Sequence, residues 1–294
     1  MLTGHADEIG FMVTYIDEKG FVHFNSIGSI DPSILPGHKV NLYNYGKRVR
    51  GVIGKKPIHI MDESDKTKIP KIEDLWIDIG ATNRKDAEKR VVVGNCGTFE
   101  NNMEMLSSDL VTSRGTDNKV GVFIIGEVMR RLESKTTDAN IFAVSSVQEE
   151  VGHRGARTSA FSIDPHVGIV VDVTVATDHP EIPENKYREC FLGKGPSIAI
   201  GANINPGVFE LLKESADSND IPFQIDPWAR ITDTDAEALQ VTRAGVATGL
   251  VSVPNRYMHT PVEVVSLKDL DGAVDLLVAF AQRLNDQTNL IPGI

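Results

Sequence analysis

From about residue 101 onward the chain alternates short apolar runs with segments of helical period. That alternation restricts its fold more than any other feature. Residues 141–147, 167–173 and 246–253 are apolar runs suited to strands covered on both faces. Residues 118–133 set Val120, Phe123, Ile124, Val128 and Leu132 near a 3.6-residue period. Residues 208–216 and 234–243 read as further helices. A last helix opens at Ser266, with Asp269 three residues later as an approximate capping box. It buries Leu267, Leu270, Val274, Leu277, Val278 and Leu284. Successive parallel strands need crossovers of this kind, so the reading is an α/β fold with a mostly parallel sheet covered by helices.

The first third has another texture. Residues 13–16 and 21–24 flank Asp17-Glu18-Lys19-Gly20, a hairpin with Gly20 near the turn's left-handed position. Residues 39–45 and 48–53 repeat the pattern around Gly46 and Lys47. Residues 75–79 and 91–93 read as further strands, and the polar stretch 61–71 as a loop. A small β-barrel or sandwich is expected here.

The 294 residues allow one large domain or two of ordinary size, and a 41% hydrophobic share suffices for a proper core. With 30 basic against 41 acidic residues, the net charge of −11 opposes non-specific binding to nucleic acid or to an anionic membrane. Apolar runs such as 167–171 are too short to span a bilayer. No basic segment followed by an apolar stretch opens the chain, so no secretory signal is expected. Cys96 and Cys190 form neither a metal-binding nor a disulfide pattern. Two reduced thiols in a cytoplasmic protein are the expectation.

Ligands of open α/β sheets sit outside the carboxyl ends of the strands. The residues just after each expected strand are therefore the informative ones. Residues 1–4 lead to His5 and Asp7; residues 141–144 lead to Gln148, Glu149 and Glu150. Residues 168–171 lead to Asp172, and residues 250–253 lead to His259. Asp117 stands at the entrance of the helix near Asn118. Two histidines with several carboxylates suit divalent ions such as Zn²⁺, Co²⁺ or Mn²⁺. A single ion would need fewer carboxylates, whereas a bridged pair would use them all. Glu149 and Glu150, as neighbours on an extended chain, would point in different directions, one to metal and one to a metal-activated water.

Each residue also has a plainer reading. An Asp before a helix is usually an N-cap, and a Glu pair is usually a solvated surface. His23, His38, His59, His153, His166 and His179 are taken as surface or hydrogen-bonded loop residues.

With these residues in view, the sequence resembles the TET-type metallo-aminopeptidases, which include glutamyl and deblocking aminopeptidases. The matching stretches are GHADEIG from Gly4, SRGTDNKVG from Ser113, QEEVGHRGA from Gln148, DVTVATDHP from Asp172 and HTPVE from His259. KPIHIM from Lys56 and DLWIDIGA from Asp74 match the inserted domain of that family. The likeness runs in order over essentially the whole chain, and the five motifs together are specific.

The resemblance implies a zinc-exopeptidase-like catalytic domain of residues 1–7 and 101–294. The inserted β-barrel of residues 8–100 would be a dimerisation module. It implies two divalent metal ions per chain, zinc or cobalt. Asp117 would bridge them, Glu150 and His259 would complete one site, and His5 with Asp172 the other. Asp7 would orient His5 through its other ring nitrogen, and Glu149 would be the general base. Substrates would be short peptides with a free N-terminus, and dimers would assemble into a tetrahedral dodecamer. Gly115 and Thr116 stand where the family more often has a small residue and Leu, a change expected in the packing under the metals.

Only four residues precede His5, fewer than the usual five or six of a strand. An upstream segment is expected, together with apolar surface near Met1 and Leu2 that is exposed or covered by another subunit. Other readings are a catalytically impaired assembly protein, a glycoside hydrolase using Glu149 as one of two carboxylates, or a deacylase or dipeptidase on the same metals. Arg230 and Asp235 are candidates to read a charged substrate side chain, with surface or capping roles as their plainer alternatives.

Overall fold

A computed structural model of the chain describes residues 1–183 and 186–291. In chain order, strand β1 (Leu2–His5) comes first. It is followed by β2 (Gly10–Ile16), β3 (Val22–Ile27), β4 (Lys39–Asn44) and β5 (Lys47–Gly54). Helix α1 (Glu63–Lys66), β6 (Trp76–Asp78), α2 (Arg84–Glu88) and β7 (Cys96–Phe99) follow. Next are β8 (Glu104–Met105), β9 (Leu110–Ser113), α3 (Thr116–Leu132), β10 (Ala143–Ser146) and α4 (Arg154–Ile163). The remaining elements are β11 (Val167–Val175), β12 (Ser197–Gly201), α5 (Pro206–Asp217), β13 (Gln224–Trp228) and α6 (Asp235–Gln240), then β14 (Ala247–Asn255), β15 (Glu263–Ser266) and α7 (Leu267–Arg283).

The chain divides into two compact units. The first holds Met1–Asp7, Met103–Met258 and Val262–Ile294; the second holds Glu8–Asn102 and His259–Pro261.

In the first unit six strands form one sheet in the order β10-β1-β11-β14-β12-β13. All neighbouring pairs are parallel except β12 with β14, which is antiparallel. Strands β11 and β14 are buried along almost their whole length because helices cover the sheet. The core gathers Ile169, Val170, Val171, Leu250, Val251 and Val253 from the strands with Ile124, Val128, Leu212, Leu277 and Phe280 from the helices. Each large side chain so buried contributes about 1.5–3 kcal/mol. A smaller antiparallel sheet, β15-β9-β8, completes this unit.

Helix α3 lies unusually close to the sheet. A Cβ on Gly121 would stand 2.6 Å from the Val171 carbonyl oxygen, and one on Gly4 would stand 3.0 Å from the Gly121 carbonyl carbon. Two glycines face each other where β1 and α3 meet, and both are needed for that approach.

Some local expectations change. Residues 91–93 form no strand: the Val91 amide donates to the Ala87 carbonyl, and the Asn95 side chain accepts from Val92, so the run closes a turn after α2. Ser266 and Asp269 form no capping box. Ser266 Oγ donates to Asp109, while Asp269 accepts the amides of Gly193 and Gly195 at 2.7 Å each. Met1 and Leu2 are themselves buried, but with Ile141, Phe142, Ile163 and Val246 they line an open cavity in which Phe142 is 49% exposed, so apolar surface does lie beside them. Leu2 is enclosed because β1 is paired on both sides, by β10 and by β11.

The second unit is a closed antiparallel barrel, β2-β3-β6-β5-β4-β7. Asp17 starts the β2–β3 turn by accepting the amides of Lys19 and Phe21, and Gly20 takes φ 93°. Tyr45 and Gly46, both at positive φ, turn β4 into β5. Its core centres on Phe11, packed edge-on against Phe24 and Phe99 with ring centres 5.2 and 4.9 Å apart. Among the described residues no helix is long and apolar enough to cross a membrane.

Candidate metal centre

Strands β1, β10 and β11 run parallel, so their carboxyl ends meet along one edge of the sheet. His5 is the last residue of β1, Asp172 lies in β11, and Asp117 is in the first turn of α3. All three are buried, at 1%, 4% and 7% exposure. Each offers a ligand atom within 4.8 Å of the other two.

His5 is at the centre. Its Nδ1 is 3.1 Å from the main-chain oxygen of Asp7, which can only accept, so Nδ1 carries a proton. Its Nε2 faces Asp117 Oδ1 at 3.2 Å, Glu149 Oε2 at 3.7 Å and Asp172 Oδ1 at 3.7 Å. Burial opposes a charge on His5, but the carboxylates of Asp117, Asp172 and Asp7 outweigh it and hold its pKa far above the ordinary range. Burial pushes the Asp172 carboxyl up, and the nearby charge of Asp117 adds to this against the pull of His5.

One ring nitrogen cannot serve three carboxylate oxygens, whereas a divalent cation among them can. The donor set is one imidazole nitrogen with hard carboxylate oxygens, which suits Zn²⁺ or its neighbours in the first transition row. The residues present therefore fit a metal.

Asp117 is held by its surroundings rather than by helix geometry. Its backbone and that of Asn118 are non-helical. The regular helix is capped instead by Asn118, whose Oδ1 accepts the Gly121 amide at 3.0 Å and whose Nδ2 donates to the Val171 carbonyl at 2.7 Å. The N-cap role thus falls to Asn118. Thr116 Oγ1 and the Asp117 amide both donate to buried Glu263, at 2.8 and 3.1 Å.

Asp7 acts on two partners. Its carboxylate Oδ1 lies 3.5 Å from His5 Nδ1, further than its own main-chain oxygen. The same carboxylate accepts the amides of Glu149 and Glu150 at 3.2 and 3.3 Å. Burial would raise the Asp7 pKa, but His5 and these two amides together hold it below the usual carboxylate range.

Glu149 and Glu150 occupy a turn rather than the extended stretch expected. Gln148 has φ 62°, and the Glu149 carbonyl accepts the amides of Gly152 and His153. Burial raises the Glu149 pKa against the opposing pull of His153, which makes it a better proton acceptor than a free glutamate. His153 Nε2 lies 3.2 Å from Glu149 Oε1, a contact that no local sequence signal indicates. Asp235 is fully buried and accepts from Ser146 Oγ at 2.6 Å, so it does not lie on the surface. Burial and the charge of Glu149 push its pKa up to about 6. Arg230 is exposed.

His259 follows β14 with a left-handed backbone, φ 60°, in the segment that belongs to the second unit. Its Nδ1 donates to the Ser29 carbonyl at 2.7 Å. Nδ1 thus carries the proton, and Nε2 is the nitrogen left with an acceptor lone pair in the neutral ring.

Buried acids converging on one imidazole, beside a glutamate made more basic by its surroundings, define a metal-dependent hydrolase on an α/β sheet. The family model described as M42 glutamyl aminopeptidase matches residues 1–276. The chain belongs to that family, and it is a hydrolase acting on peptides. A lysyl aminopeptidase of Pyrococcus furiosus is 36% identical over 97% of this chain and 81% of its own length. An aminopeptidase structure from the archaeon Desulfurococcus kamchatkensis superposes with a TM-score of 0.90 at 36% identity, covering 97% of this chain and 79% of that one. The TET1 peptidase of Pyrococcus horikoshii, described as assembling into a tetrahedron or a large octahedral shell, gives a TM-score of 0.85 at 30% identity, covering 96% and 83%.

Proposed function

We propose that this chain is a two-metal aminopeptidase that removes the N-terminal residue from short peptides, with Glu149 as general base. The observation that carries this reading is the convergence of Asp117, Asp172 and Glu149 on one nitrogen of His5. His5 and Asp172 would hold one ion, Glu150 and His259 the other, and Asp117 both. When bound, two such ions, zinc or cobalt, would supply Lewis acidity that makes a water more acidic and a peptide carbonyl more electrophilic. Glu149 would accept a proton from the attacking water and return it to the leaving amine. Asp7 holds the Glu149 and Glu150 backbone and keeps the His5 ring in place, so its part is orientation. A requirement for a free substrate α-amine confines cleavage to the first peptide bond.

The barrel unit would be the dimerisation module, and dimers would build the dodecamer. Its exposed Tyr45, Ile58, Ile60 and Val93 are the surface that such contacts would cover. The two free thiols support a cytoplasmic location.

The test is metal content by elemental analysis, paired with Glu149→Gln. About two divalent ions per chain are expected. The variant should keep them while turnover of an aminoacyl-anilide falls by about 10²- to 10⁴-fold. An N-acetylated peptide should resist cleavage. Metal-free protein with full activity would falsify the reading.

A further inference from the structure

The turn that carries Glu149 closes on itself. The amides of Gly152 and His153 both donate to the Glu149 carbonyl, at 2.9 and 3.1 Å, and the Gly155 amide donates to the Val147 carbonyl at 2.9 Å. There is no slack in it: a Cβ on Gly155 would stand 2.4 Å from the Val147 oxygen. His153 ends this turn with φ 55° and ψ 32°, a left-handed conformation in which glycine is the least costly residue. The chain nevertheless has an imidazole there, and the conformation brings it back over Glu149.

The two oxygens of Glu149 then have different partners. Oε1 lies 3.2 Å from His153 Nε2, and Oε2 faces His5 Nε2 at 3.7 Å, on the side of Asp117 and Asp172. We infer that His153 is a positioning residue for Glu149: its Nε2–H donates to Oε1 and so holds Oε2 toward the metal cluster, where a reacting water would stand. This rests on the reading of Glu149 as general base. A free glutamate spreads over three side-chain torsions, and ordering it costs conformational entropy. A hydrogen bond made before substrate arrives removes much of that cost from the reaction.

The surroundings favour the donor form of His153. Glu149 itself raises its pKa most; burial opposes this, and Asp235 and Glu237 of α6 add to the rise. The donor nitrogen thus keeps its proton in the presence of three acids.

The experiment compares His153→Gly, His153→Gln and Glu149→Gln in the full-length protein, each with kcat, KM and metal content. His153→Gly removes the donor while suiting the left-handed backbone, so the turn is kept. Its kcat should fall about 10- to 100-fold with KM and metal content unchanged. His153→Gln restores an N–H donor and should recover most of the kcat. Wild-type kcat in His153→Gly, with Glu149→Gln inactive, overturns the inference and leaves the base reading intact. Equal losses in both His153 variants together with lost metal also overturn it, since they show a purely structural role. Full activity in Glu149→Gln removes the base reading, and this inference with it.

Discussion

The Asp117 amide donates to Glu263 Oε2 at 3.1 Å, and the carboxylate that receives it is itself fully buried. Glu263 also accepts from Thr116 Oγ1, so one side chain fixes the two residues that bring the Asp117 carboxylate to His5. Glu263→Ala strands two buried donors, each at about 1–3 kcal/mol. It should also loosen Asp117 and weaken metal affinity by about 10- to 100-fold, as loss of an outer partner does. Denaturant unfolding and metal titration read the two effects separately. Unchanged affinity would mean that Asp117 is held by other contacts.

Chelation should make stability depend on pH with a definite sign. Asp172 is raised above its ordinary 3.8, and His5 above its ordinary 6.5. Each therefore binds more protons folded than unfolded, so stability is lost as pH rises, from 3.8 upward for Asp172 and from 6.5 upward for His5. Metal binding needs these groups deprotonated and runs the other way. The melting temperature of chelator-treated protein should fall between about pH 5 and about pH 9, and its gap to the metal-loaded protein should widen. A gap that stays constant with pH would show that these groups do not titrate with folding.

Much of this site was legible because the sheet rule is local. His5, Glu149, Glu150 and Asp172 each stand at or just past the end of an apolar run, and a parallel strand delivers those residues to the shared edge. The parts that stayed hidden depend on contacts distant in sequence or on backbone shape. His153 looks like any loop histidine until the left-handed turn brings it back onto Glu149. Glu263 reaches Asp117 across 146 residues. Strand β13 contains Pro227, which cannot donate to a ladder, and this sheet accepts it only because β13 is an edge strand. Helix α4 starts directly after that left-handed residue and buries only Ala156 and Ala160, too small an apolar face to read as a helix.

Gly121 should tolerate no side chain. A Cβ there would stand 2.3 Å from Asn118 Oδ1 and 2.6 Å from the Val171 oxygen, and Asn118 is the cap that starts the regular part of α3. Gly121→Ala would push α3 off the sheet or break that cap, at about 1–3 kcal/mol. Because Asp117 lies one residue before the cap, metal affinity should fall along with stability. Gly126→Ala is the control: it lies in the same helix with nothing within 4 Å of its added Cβ, so it should be neutral or slightly stabilising. Equal effects of the two substitutions would refute the close approach of α3 to the sheet.

Cys190 and Cys96 should differ sharply toward thiol reagents. Cys190 is buried, and burial with the nearby charge of Asp226 pushes its thiol up to about 12. The reactive species is the thiolate, so Cys190 has almost none of it at neutral pH and no access for a reagent. Its main-chain oxygen and amide are also tied to Thr177, which holds Cys190 in place. Cys96 is exposed on the barrel. Titration with an aromatic disulfide should modify Cys96 in the folded chain and Cys190 only once denaturant is added. Cys96→Ser should then leave a folded protein that is silent to the reagent. Rapid labelling of that variant without denaturant would place local opening around Cys190 among the fast motions of this fold.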